Sequence, residues 1–116
     1  MDLIIGGLYQ GKTKYINEHY NLTLTESNYF SKFVNQDVVV LLNCHMFEGD
    51  ITEYIKDLPK DKDLIVSTAL VGNAIVPVHR SEREYRDNVG ITNKFLAANS
   101  NKVIRVWNGL SEEIKC

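Results

Sequence analysis

The chain has 116 residues, enough for one domain with a core of its own, and its net charge of −2 gives no electrostatic basis for binding nucleic acid. Charged residues at 24% and apolar residues at 44% are ordinary globular fractions, and no apolar run reaches the length of a bilayer span, so neither a disordered nor a membrane class is expected. The two cysteines, Cys44 and Cys116, lie too far apart in sequence to suggest a disulfide framework, and the first residues already read as a strand rather than a signal peptide. A cytoplasmic location is therefore the expectation.

In chain order, Leu3-Ile4-Ile5 reads as a short buried strand. Gly6-Gly7-Leu8-Tyr9-Gln10-Gly11-Lys12-Thr13 follows and fits G-x-x-x-x-G-K-[ST], the phosphate-binding P-loop. The segment after it, Lys14 to His19, is compatible with a helix, so the motif has its strand–loop–helix setting. Glycines there let backbone N–H groups turn inward around a phosphate, and a helix N-terminus adds partial positive charge. Lys12 would reach the β- and γ-phosphates, and the Thr13 hydroxyl would help to hold Mg2+. The plainer alternative is a glycine turn that fits the pattern by coincidence.

Thr23-x-x-Glu26 resembles a capping box, and Tyr29, Phe30, Phe33 and Val34 then repeat at helical spacing, which predicts a helix. Val38-Val39-Val40-Leu41-Leu42 is apolar throughout and fits a central parallel strand, buried on both faces. Asp50-x-x-Glu53 opens a further helix with Ile51, Tyr54, Ile55 and Leu58 on one face and Pro59 as its stop. Leu64 to Thr68 is another buried strand. A long helix is expected from about Ser81 to Asn99, with Tyr85, Val89, Thr92, Phe95 and Leu96 as its apolar stripe. Val103 to Trp107 is a strand, Asn108-Gly109 a strong hairpin turn, and Leu110 to Lys115 the antiparallel return. Strands alternating with helices predict a three-layer α/β domain over residues 1–116, with a mostly parallel sheet and a C-terminal antiparallel hairpin. Nucleotide would then sit at the carboxyl ends of the strands.

Residues 69–80 fit no regular element yet are mostly apolar. Such a loop covers a neighbouring subunit, a hydrophobic substrate, or the underside of its own domain. Arg80, Arg83 and Arg86 are spaced three apart and form one ridge, suited to phosphate. With Glu82, Glu84 and Asp87 beside them, the same ridge also reads as a solvated, ion-paired face. Cys44-His45 reads as a buried thiol and a partly exposed imidazole rather than a metal pair, since no second Cys/His pair accompanies it. His79 reads as a surface loop residue and Trp107 as core or interface packing.

Val71-Gly72, Ile75-Val76-Pro77, Arg80, Arg83, Tyr85-Arg86-Asp87, Gly90, Asn93 and Leu96-Ala97 together resemble the C-terminal signature of the adenosylcobinamide kinase/adenosylcobinamide-phosphate guanylyltransferase family of cobalamin biosynthesis. Gly6 to Thr13 is similar to that family's P-loop. The resemblance covers both ends of the chain well and the middle poorly. It implies a RecA-like P-loop NTPase fold, a homo-oligomer (a trimer), and phosphoryl transfer from ATP or GTP with Mg2+ to the aminopropanol arm of a corrinoid. Lys12, Arg80 and Arg83 become the candidate catalytic residues, residues Gly6 to Thr13 the nucleotide-binding set, and Thr13 the metal-binding residue.

The chain departs from the family pattern in three places. Glu18 to Gln36 is too short to hold the family's additional strand and its guanylated histidine, and neither His19 nor His45 stands in the matching context, so the guanylyltransferase step is expected to be absent. Asn43 stands where the family has an acid at the end of the second core strand, and Leu70 stands where it has a glutamate. Either phosphate binding survives while transfer is impaired, leaving a nucleotide-binding homologue that acts through oligomerisation, or another acid such as Glu48 or Asp50 has taken over.

Overall fold

The computed structural model describes residues 1–7, 11–27, 29–69 and 80–115, with 80–89 described by backbone alone. Ten elements follow one another: β1 (Asp2–Gly6), α1 (Lys12–Tyr20), β2 (Ser31–Val34), β3 (Val38–Leu42), a 3-10 turn (Cys44–Met46), α2 (Ile51–Lys56), β4 (Asp63–Ala69), α3 (Arg80–Asn99), β5 (Lys102–Trp107) and β6 (Leu110–Lys115). The strands form a six-stranded sheet in the order β2-β3-β4-β1-β5-β6. The four central strands are parallel, while β2 and β6 pair antiparallel at the edges. This is a mixed α/β architecture with a mostly parallel sheet and the expected C-terminal hairpin.

Period-two alternation along the central strands sorts the core into two layers. Ile4, Val40, Leu42, Ile65, Ile104 and Val106 face one side and pack with Ile16, Tyr15 and Tyr20 of α1. Leu3, Val39, Leu41, Val66 and Val103 face the other and pack with Tyr54, Ile55 and Leu58 around α2 and with Phe95 and Leu96 of α3. Val39 to Leu42 are all buried, as a strand covered on both faces requires. Burying each such side chain contributes about 1.5–3 kcal/mol, so the central strands anchor the fold. Asn108 (φ 49°) and Gly109 (φ 76°) both take positive φ, the backbone a two-residue hairpin needs. No helix among the described residues is long and apolar enough to cross a membrane.

The helix expected from the Thr23–Glu26 pattern does not form. Residues 22–27 are irregular, and Ser31–Val34 is a strand paired with β3. Tertiary bonds divert the backbone groups that such a helix would use. The Asn17 side chain clasps Leu24 twice, Nδ2 donating to its carbonyl at 2.9 Å and Oδ1 accepting from its N–H at 2.7 Å. Asn43 Nδ2 donates to the carbonyls of Ser27 (2.6 Å) and Tyr29 (2.9 Å). Phe33 and Val34, both good strand formers, then complete a ladder on the edge of β3.

Candidate functional site

The candidate site lies at the carboxyl edge of the sheet, where β1 turns into α1. Gly6 ends β1 opposite Ala69 of β4. It has to be glycine, because a Cβ there would lie 2.4 Å from the Val106 carbonyl oxygen of β5. Gly11 holds φ at 96°, the left-handed conformation that turns the chain into α1. A Cβ on Gly11 would come within 3.9 Å of Gly109, so the β5–β6 turn flanks Gly11. Helix α1 starts with no side-chain cap and no acid in its first turn, which leaves its N-terminal partial charge uncompensated from within the helix.

Lys12 is the first residue of that helix and only 8% exposed. Its Nζ donates to the carbonyls of Gly7 at 3.0 Å and Gly6 at 3.3 Å, so its charge is held over the end of β1. Burial lowers the Lys12 pKa, and the negative charge of Glu26 acts in the opposite direction. Thr13 follows in the first turn of α1, half-buried. The structure thus brings Gly6, Gly7, Gly11, Lys12 and Thr13 together. Leu8, Tyr9, Gln10, Leu70 and His79 lie outside the described residues, as does nearly all of the apolar loop. Arg80 and Arg83 fall in the first turn of α3, and the side chains of the whole arginine ridge lie outside the description.

Sequence reasoning missed the nearness of His45 to Lys12. His45, expected to be partly exposed, is 7% exposed. Its Nδ1 accepts the Ala69 N–H at 3.1 Å. Burial, and then the nearby Lys12 charge, push its pKa down to about 4, so the ring is neutral near pH 7 with its proton on Nε2. Nothing in the local sequence signals this placement, because Lys12 and His45 meet only through strands β1, β4 and β3 lying side by side. Cys44 is the buried thiol that the sequence suggests, with its pKa pushed up to about 12 by burial.

Asn43 follows β3 in the left-handed conformation (φ 59°), which asparagine tolerates well. Its N–H donates to Ser67 Oγ at 3.1 Å, and its side-chain amide is the donor to Ser27 and Tyr29. The group facing those two carbonyls is a donor, a role an ionised acid cannot fill. Asp50 caps α2, its Oδ1 accepting the Thr52 N–H at 2.9 Å, and so is committed elsewhere. At the end of β4, Thr68 donates to Asn93 Oδ1 at 2.7 Å and Asn93 Nδ2 donates to the Ala69 carbonyl at 3.3 Å, which ties α3 to the sheet. Among the described residues no group of three or more His, Cys, Asp and Glu side chains could hold a metal ion. The end of β3 thus presents an amide donor, not a carboxylate, at this edge of the sheet. A pocket bordered by Asp2, Tyr20, Val38 and Asp63 lies at the amino ends of the strands, the opposite edge from Lys12.

Comparison with known proteins adds one match. Residues 21–114 match the family described as cobinamide kinase / cobinamide phosphate guanyltransferase. The matched span runs from the end of α1 through β6 and includes the Val71–Ala97 signature, while the β1–α1 turn precedes it. No curated protein matches the chain.

Proposed function

This chain belongs to the cobinamide kinase / cobinamide phosphate guanyltransferase family of cobalamin biosynthesis, and from that premise we propose that it binds the phosphates of ATP or GTP at the β1–α1 turn and transfers the terminal phosphoryl group to a corrinoid. The observation that carries the reading is Lys12. A buried ammonium is held over a glycine turn, at the carboxyl end of an interior parallel strand and the N-terminus of a helix that has no side-chain cap. The backbone N–H groups of the turn would hold phosphate oxygens, and Lys12 would exchange its carbonyl partners for them. The aminopropanol hydroxyl of the corrinoid would attack the γ-phosphorus. The bond to the β–γ bridging oxygen breaks, and the hydroxyl proton leaves to solvent. Arg80 and Arg83, at the start of α3, are proposed to stabilise the charge that spreads over the transferred group. Magnesium, which the family implies, would shield the phosphates; Thr13 is the residue proposed to face it, and no step is routed through the ion.

The guanylyltransferase half is proposed to be absent. No histidine lies between Tyr20 and Asp37, and His45 is buried with Nδ1 already bonded, a poor carrier for a nucleotidyl group. A homo-oligomer in the cytoplasm, trimeric as in the resemblance, completes the proposal; Leu110 and Ile114, exposed on edge strand β6, support such contacts. A second reading, a nucleotide-binding homologue without catalysis, is favoured by Asn43, whose amide is spent on backbone carbonyls where the family has an acid.

Titration with ATP and GTP, with and without magnesium, tests the site. Wild type should bind, and Lys12→Ala should weaken binding by about 10- to 100-fold, the value of charge-assisted hydrogen bonds. No binding by wild type, or an unchanged affinity in the variant, sinks the phosphate-site reading. Release of ADP or GDP on adding cobinamide selects the kinase; binding without release selects the second reading.

A further inference from the structure

We propose that Glu26 is the acidic residue of the nucleotide site, carried over the carboxyl edge of the sheet by the chain that leaves Leu24, and that it opposes bound phosphate and so sets the affinity. The inference rests on the phosphate-site reading of the β1–α1 turn.

The path of the chain carries the argument. Leu22 and Leu24 pack into the core layer under α1. Phe30 packs into the opposite layer, edge-on to Phe47 at 4.9 Å and to Tyr54 at 5.5 Å. The residues between them must therefore cross from one face of the sheet to the other. They cross at the carboxyl edge, because β2 begins at Ser31 opposite Leu42, the last residue of β3. Two anchors fix the crossing. Asn17 of α1 clasps Leu24 on one side, and Asn43 at the end of β3 holds Ser27 and Tyr29 on the other. Glu26 lies between these anchors, on the edge that also carries Gly6 and Lys12.

The electrostatics agree with the path. Lys12 is buried among neutral carbonyls, and Glu26 is the acid whose charge acts on it. Glu26 is itself exposed, so its carboxylate stays in contact with solvent at the mouth of the site. A triphosphate approaching Lys12 meets that like charge. An acid thus stands over the edge from outside the sheet, and Asn43, at the end of β3, holds the segment that carries it.

The test uses Glu26→Gln, a shape-conserving change at an exposed position. The Lys12 side chain is titrated by NMR in the absence of ligand, and ATP and GTP affinities are then measured for both proteins. Removing the acid should lower the Lys12 pKa, and nucleotide should bind roughly three- to tenfold more tightly. An unchanged Lys12 titration overturns the placement of Glu26 beside Lys12. Nucleotide binding that is unchanged or weaker in the variant, where wild type binds, overturns the opposing role. If neither protein binds nucleotide, the phosphate-site reading falls and the affinity role with it, while the Lys12 titration still decides whether the two groups are paired.

Discussion

Asn43 shows how one residue can be read correctly in type and incompletely in role. The sequence marks it as the place where a family acid is missing; the structure shows why an amide is needed there. Its two N–H donors hold the Ser27 and Tyr29 carbonyls, and its left-handed backbone suits asparagine. Restoring the acid with Asn43→Asp would turn a carboxylate toward two carbonyl oxygens. The variant should lose about 2 kcal/mol of stability in urea denaturation, the cost of breaking partly buried hydrogen bonds. Stability equal to wild type would show that the clasp contributes nothing. Lys12 and Gly11 are legible by spacing alone, since the motif fixes both their types and their separation. Glu26 and His45 are not, because their nearness to Lys12 depends on which strands are neighbours and on a crossing segment that no local pattern encodes.

At the scale of elements, strands were easier to read than the irregular connection. β3, β4, β5 and β6 follow from continuous apolar runs and from a turn dipeptide whose two positive φ values match its chemistry. The segment from Thr23 to Val34 misleads because its local signals, a capping box and a helical repeat, are weak beside the tertiary bonds from Asn17 and Asn43. The juncture of β1 with β5 gives a sharper prediction. Gly6→Ala places a methyl group against the Val106 carbonyl oxygen, backbone against which no side chain can yield. The two strands must separate locally, at a cost of about 1–3 kcal/mol. Thermal or chemical denaturation should register that loss, with a matching weakening of nucleotide binding, because the same residue opens the turn. A Gly6→Ala variant as stable as wild type would contradict the close approach of the two strands.

For the molecule as a whole, pH should act through His45. The folded ring takes up a proton only near pH 4, whereas the unfolded chain takes one near 6.5. Between those values the unfolded state holds more protons, so stability rises with pH across that window and is lost as pH falls through it. The full loss is on the order of 3 kcal/mol, since each tenfold difference in proton affinity between the two states is worth about 1.4 kcal/mol. Denaturation at pH 7.5, 6 and 5 should show a smaller acid loss in His45→Gln, whose side-chain oxygen can still accept the Ala69 N–H. Equal acid losses would show that the ring is not held neutral by the fold. The sequence by itself determined the alternation of apolar strands and helices, the phosphate-loop pattern and the family signature, because each is written in residues near one another along the chain. Only the tertiary structure decided what surrounds Lys12. Strand order brings His45 of the turn after β3 toward it, the close approach of β5 makes Gly6 obligatory, and the crossing segment carries Glu26 over the sheet edge. These relations arise from contacts between residues distant in sequence, which local propensity and periodicity do not encode.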